Sequence, residues 1–238
     1  MQTKLTRLIK WLIPLAALLT VAAFLYVSPP GLLGKADAVG YAICHRIDAR
    51  SFHIHDRQLP MCARDTGTFT SAALTLFFLA LTKPKYGGMP SKKIAFALAA
   101  LFLAWAFDGA NSYLYLLKET YEGAFSQFPN AYIPNNTLRV LTGTGMGMGM
   151  GTVLYAAFNQ SAWKDFDKRP ALGAWRDLGL LVALVFFVAL LIRTESLLIL
   201  YPVAMISVLG VLTLLTLIFS VVWMMIMRQE NSFTSLRG

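Results

Sequence analysis

Charge is scarce in this chain. Only 14% of the 238 residues are Asp, Glu, Lys or Arg, against about 25% in an ordinary soluble domain. That shortage, with 57% hydrophobic residues and a mean hydropathy of +0.58, excludes a typical soluble globular protein. Cysteine and histidine are scarcer still, at two and three residues, and the Lys-rich connections contain neither. A Gly-Lys-Ser/Thr ending is also missing from the glycine-rich stretch at 143–151, which excludes a Walker-type phosphate loop there.

What is present is apolar sequence in long blocks. A bilayer core of about 30 Å needs roughly 20 mainly apolar residues per helix. Six blocks qualify: 8–27, 66–82, 94–117, 138–158, 178–192 and 197–227, the fifth short and the sixth long. The first has a basic start like a signal peptide, but Val27-Ser28-Pro29-Pro30 is a poor cleavage site, so it is read as a retained span. The expected fold is all-α, a single integral-membrane domain over 1–238 built as a polytopic bundle of about six transmembrane helices.

Lys and Arg in short connections are held in the cytoplasm during insertion. With both termini cytoplasmic, thirteen of the 21 basic residues fall inside, from Lys4, Arg7 and Lys10 through Lys92 and Lys93 to Arg228 and Arg237. Five of the eight outside crowd into one connection. The expected location is therefore the cell (inner, cytoplasmic) membrane. The net charge of +9 encodes topology and an inner surface facing anionic membrane lipids, with no nucleic acid implied.

The outer loop at 29–65 holds both cysteines and all three histidines within Cys44 to Cys62. Three readings stay open. Cysteines in an oxidising compartment pair, so a Cys44–Cys62 disulfide would close the loop. Thiolate, imidazole and carboxylate are also zinc ligands, and Cys44, His45, Cys62 and Asp65, or alternatively His53 and His55, would supply three or four. A solvated loop with neither is the third, since Cys-His adjacency and His-x-His match no standard zinc spacing.

The run Cys44-His45, Arg50-Ser51-Phe52 and Gln58-Leu59-Pro60-x-Cys62-Ala63-Arg64-x-Thr66-Gly67 resembles the signature of domain of unknown function 2085, a family of prokaryotic integral-membrane proteins. Asp108-Gly109, Asn136, Arg139, Thr142 and Gly143 extend the likeness over 39–159. The family pattern ends Cys-x-Arg-Cys-Thr-Gly, and this chain has Asp65 where its last cysteine stands. An aspartate still binds metal but exchanges no disulfide, so a Cys-x-x-Cys redox pair is disfavoured. The resemblance implies the membrane class and the choice of residues, and names no reaction.

Asp108 lies fourteen residues into its span, roughly 21 Å from the cytoplasmic end. An ionisable group at that depth needs a partner and marks a candidate site. Arg139 is the expected partner, with Thr142 one turn inward and Asn111 on the face of Asp108; a structural ion pair and a functional role both remain open. By topology Arg64, Asp65, Asp108, Asn111, Asn136 and Arg139 converge at the outer ends of the second, third and fourth spans, with Arg50 and Ser51 in the adjoining loop. The segment at 113–136 carries Tyr113, Tyr115, Tyr121, Phe125, Phe128 and Tyr132, which suits interface anchoring or a lid. Gly143, Gly147 and Gly151 share one helical face and Gly145 and Gly149 another, for close helix approach with methionines as filler; a copper-binding methionine run fits less well. Arg193 and Glu195 mark a tight turn and are expected to pair at the surface.

Two classes of function remain. One is an outward-facing membrane enzyme, a metal-dependent hydrolase or transferase acting on a lipid-linked, amphiphilic or small anionic substrate, with zinc on Cys44, His45 and Cys62, Asp108 as base, and Arg64 and Arg139 holding an anionic group. The other is a non-catalytic metal-binding, transport or complex-assembly subunit with a disulfide-clamped outer loop. Weak inverted-repeat symmetry argues against a transporter.

Overall fold

The computed structural model describes residues 2–234 except 122–124 and 126, with the side chains of 2–10, 13 and 14 also left aside. Arg237 of the basic set, and four residues of the segment 113–136, therefore lie outside the described residues.

The chain is mostly helical. Each of the six apolar blocks lies in or closely matches a helix: α1 (Gln2–Val27), α3 (Ala63–Thr82), α4 (Lys92–Thr120), α5 (Asn136–Ala162), α6 (Trp175–Ile192) and α7 (Leu197–Ile226). A further helix, α2 (Gly31–Ile43), occupies part of the segment expected to be loop. Pro29-Pro30 and a left-handed Gly31 (φ 78°) break α1 from α2, and the two are bent by 111°. α2 then packs Ala36 and Val39 against Met61, Val208 and Val211, which a solvated loop could not do.

Three helices, α4, α6 and α7, are long and apolar enough to cross a membrane, and a fourth span arises if the bent α1–α2 pair counts as one. The helices α3 and α5 are more polar because they form the centre of the bundle. Ser71 Oγ donates to Thr144 O at 2.7 Å, and Thr68, Thr70, Thr75 and Thr152 are all buried. Surfaces that meet another helix rather than lipid are built from small and hydroxylated residues.

Glycine sets that central contact. A Cβ on Gly143 would stand 2.2 Å from Arg64 O, one on Gly147 1.9 Å from Thr68 O, and one on Gly67 of α3 2.4 Å from Val140 O. The 143/147/151 face of α5 thus lies on α3. On the second face a Gly145 Cβ would meet Leu101 of α4 at 3.1 Å, while Gly149 has nothing within 4 Å. Met148 is fully buried in the main core with Leu79, Ile94, Leu172 and Leu181.

Two short strand pairs close the ends. β1 (His53–Ile54) and β2 (Arg57–Gln58) form an antiparallel hairpin between α2 and α3. β3 (Tyr86–Gly88) and β4 (Asp167–Pro170) pair in parallel at the opposite end, where Lys83 bridges Asp177 at 2.7 Å. Arg193 and Glu195 are exposed and form no ion pair among the described residues, contrary to expectation. Glu195 sits at φ 52° in a turn too short to fold the two side chains together.

Candidate functional site

Cys44 caps the C-terminus of α2 and Cys62 the N-terminus of α3. They are brought together by backbone approach: a Cβ on Gly40 would sit 1.9 Å from Pro60 O, so only glycine lets the last turn of α2 lie against the strand leading into α3. The loop between is pinned by the buried Phe52 and Leu59, with Leu59 N donating to Phe52 O at 2.9 Å. Asp65 follows one turn into α3.

The result is a compact donor cluster. One ligand atom from each of Cys44, Cys62 and Asp65 lies within 4.8 Å of the others. The Cys62 thiol donates to Asp65 Oδ2 at 3.2 Å, while Cys44 Sγ accepts from Cys62 N at 3.2 Å and Arg46 N at 3.5 Å. Both cysteines are free thiols. The neighbouring Cys62 side chain lowers the Cys44 thiol from its ordinary range, helped by the Arg46 and Cys62 amides and opposed by burial. Cys62 is pushed upward by the same contact and by its burial. A cation bound among these donors would favour the ionised form of both thiols.

The other histidines lie elsewhere. His45 is exposed on the wall of the same cavity but outside the three-donor cluster. His53 Nε2 is held by Asp48 Oδ1 at 2.8 Å, and His55 sits exposed at the hairpin turn with φ 52°. Neither reaches the cysteines as a member of that cluster.

The cluster opens onto a cavity of about 200 Å³ walled by Arg46, Arg50, Arg64 and Arg139, with Tyr113 and Leu116 as its apolar side. Arg46 is matched by Asp37 at 3.2 Å and lies over the Tyr41 ring. Arg64 is matched by Asp108 at 2.5 Å. Arg50 reaches only a carbonyl, Ser112 O at 3.1 Å, and Arg139 only the amide oxygen of Asn136 at 2.8 Å. Two guanidinium groups therefore face the cavity with no carboxylate of the described residues within ion-pair distance. Burial lowers Arg50 from its ordinary range. Arg64 Nε and Arg46 Nε are buried with no hydrogen-bond acceptor among the described residues.

Asp108 is only 1% exposed and fully engaged: Arg64 Nη2 at 2.5 Å, Tyr132 Oη at 2.6 Å and Thr142 Oγ1 at 3.1 Å all donate to it. The expected Arg139 pairing is corrected here. The intimate α3–α5 contact puts Arg64 between α4 and α5, in front of Asp108, while Arg139 bends back one turn to Asn136. Burial, with the Asp108 hydrogen bond second, raises Tyr132 to about 12.

The remaining expected contacts form the frame. Asn136 Nδ2 donates to Ser51 O at 3.2 Å, and Ser51 Oγ donates to Ile47 O and accepts from Gln58 Nε2 at 2.7 Å. Asn111 clasps the strap before α5, accepting from Ala131 N at 2.9 Å and donating to Tyr132 O at 3.0 Å, while Asn130 Nδ2 donates to Asn111 O. Removing it has a local signature: Asn111→Ala should raise hydrogen exchange at the Ala131 amide by about ten-fold or more and leave the α5 amides unchanged. Exchange unchanged at Ala131 would mean that the strap is held by other contacts.

Arg46, Ser112 and Leu116 escaped the sequence reading of the site, and Tyr113 and Tyr132 entered it only as interface or lid aromatics. Ser112 alone had a signal, standing four residues after Asp108 on one helix face. Tyr132 comes from across a connection whose path no periodicity encodes.

No curated protein and no solved structure matches the chain. The family model described as predicted membrane protein, domain of unknown function 2085, matches residues 44–153, a stretch that contains the whole donor cluster, Asp108 and Arg139. Over that stretch, a little under half of its length, the chain is similar to the family of predicted membrane proteins called domain of unknown function 2085.

Proposed function

We propose that this protein is a six-span membrane protein with both termini in the cytoplasm. At its outer end it carries a zinc site on Cys44, Cys62 and Asp65 that serves a hydrolase or transferase acting on a lipid-linked or amphiphilic anionic substrate. The observation that carries the reading is the convergence of three potential metal-ligand atoms within 4.8 Å on the wall of a cavity where Arg50 and Arg139 lack carboxylate partners.

Three protein ligands with a free position are the pattern of catalytic rather than structural zinc. Two thiolates and a carboxylate carry three negative charges, which a divalent cation and the arginine wall offset. A bound zinc ion would supply Lewis acidity to the cavity. Arg50 and Arg139 would bind the anionic group, Arg64 would be aimed by Asp108, and Tyr113 with Leu116 would receive the apolar part. Asp108, buried behind Arg64 with every neighbour donating to it, is assigned to positioning Arg64 and not to proton abstraction. His45 on the same wall is the remaining candidate for a ligand; recruiting it would close the site into a structural one.

The presence of two cysteines whose sulfur atoms lie within 4.8 Å of each other supports a second reading, a disulfide clamp in a non-catalytic protein, which would need the two to close to bonding distance. Metal analysis of the purified chain together with thiol counting separates them. One zinc per chain is expected, lost in Cys44→Ala and Cys62→Ala. In intact cells two thiols should react with a membrane-impermeant maleimide only after chelation. Two free thiols without stoichiometric metal overturn the zinc site; no free thiol before reduction assigns the clamp; labelling only after lysis overturns the sidedness.

A further inference from the structure

A second cavity is larger than the arginine pocket. A groove of about 630 Å³ runs between α4, α5 and α7, and every side chain lining it is apolar. It exists because α5 carries Gly149, with open space where a side chain would be, in line with Gly145. On α5 the lining extends from Gly145 to Ala157, about 18 Å at 1.5 Å per residue. One leaflet's share of a bilayer core of about 30 Å is about 15 Å, so the groove has the length of one acyl chain.

Its far end bears charge. Met89 and Pro90 form the wall away from the cysteine cluster, and Lys92 follows two residues later. On α4 the stripe Lys92, Ala95, Ala99 and Phe102 keeps to one face, so the ammonium stands at the foot of the row that walls the groove. Lys92 and Lys93 are both exposed, and no described carboxylate pairs with either. An apolar channel of acyl length ending at two unmatched lysines is complementary to a molecule with a hydrocarbon tail and an anionic head.

We propose that this groove seats one anionic phospholipid, its acyl chain along α4 and α5 and its phosphate at Lys92 and Lys93. The site is built from residues remote from the cysteines, so it stands or falls independently of the zinc reading. It also assigns the second glycine face of α5 a purpose that helix packing leaves open. Gly145 is used against Leu101, whereas Gly149 keeps the groove clear.

The test uses the full chain in detergent, titrated with phosphatidylglycerol and with phosphatidylcholine of the same acyl chains, counting bound lipid on the intact protein by mass spectrometry. One tightly held phosphatidylglycerol per chain is expected, preferred over phosphatidylcholine by about ten-fold. Lys92→Gln with Lys93→Gln, at two exposed positions, removes the preference. Gly149→Leu fills the groove and weakens both lipids. Equal binding of the two lipids, or a lysine variant that keeps the preference, overturns the proposal. So does a Gly149→Leu chain that binds lipid unchanged but shifts from dimer to monomer, which would give the groove to a second copy.

Discussion

Asp108→Ala destabilises the protein by about 3–5 kcal/mol, because it strands the Arg64 guanidinium in the interior with no counter-charge. Asp108 is 1% exposed, and Arg64 reaches it at 2.5 Å with its own side chain only 19% exposed, so water cannot replace the lost carboxylate. Tyr132 also loses its acceptor, leaving one further hydroxyl to find a partner, whereas Thr142 Oγ1 keeps Leu138 O at 2.8 Å. The pair itself contributes much less than this loss suggests. Replacing a buried ion pair by apolar residues of similar volume is often neutral or stabilising, since both desolvation costs disappear together. The double substitution Arg64→Met, Asp108→Leu should therefore recover most of the stability lost by Asp108→Ala while abolishing anion binding in the cavity. Tyr132→Phe, which removes a single donor, should cost about 1 kcal/mol. Unfolding of the four proteins in one detergent checks the order. A cost below 1 kcal/mol for Asp108→Ala would show that the carboxylate is solvated and that Arg64 is aimed by something else.

The ion pair also shows where sequence reading ends. Asp108 was identifiable because a carboxylate two-thirds of the way through an apolar helix must be matched, whatever the fold. The identity of its partner was not. Arg139 and Arg64 both stand near the first turn of their helices at the same end of the bundle, and only the separation of α3 from α5 decides between them. That separation is set by backbone atoms, at Gly67, Gly143 and Gly147, whose effect on the neighbouring helix has no one-dimensional signature. The apolar blocks were legible for the opposite reason: span length is dictated by the bilayer and by nothing else in the chain. α2 was missed because its 13 residues are too few to register as a span, and its apolar face is satisfied by α7, an element more than 150 residues away. Clustering pointed to Cys44, Cys62 and Asp65, but the histidines beside them diverged once the hairpin at 53–58 turned His55 outward.

The glycine run offers the sharpest test of this bundle, because two positions two residues apart face different surroundings. A Cβ on Gly147 would stand 1.9 Å from the Thr68 carbonyl oxygen, and the obstacle is backbone in the middle of a neighbouring helix, which has no rotamer to change. Gly147→Ala must push α3 and α5 apart over the contact that also holds Arg64 in front of Asp108. Overpacking usually costs about 1–3 kcal/mol, and a backbone obstacle puts this substitution at or above the top of that range. Gly149→Ala adds the same methyl group to the same helix but meets nothing within 4 Å. It should be neutral or stabilise by up to about 1 kcal/mol through helix propensity alone. The two variants share composition, hydropathy and position in the apolar block, so any difference in their unfolding reports the packing of α3 on α5. Equal behaviour of the two would mean that α5 presents a different face to α3, and both the Arg64–Asp108 pair and the arginine-walled cavity would lose the geometry on which they rest.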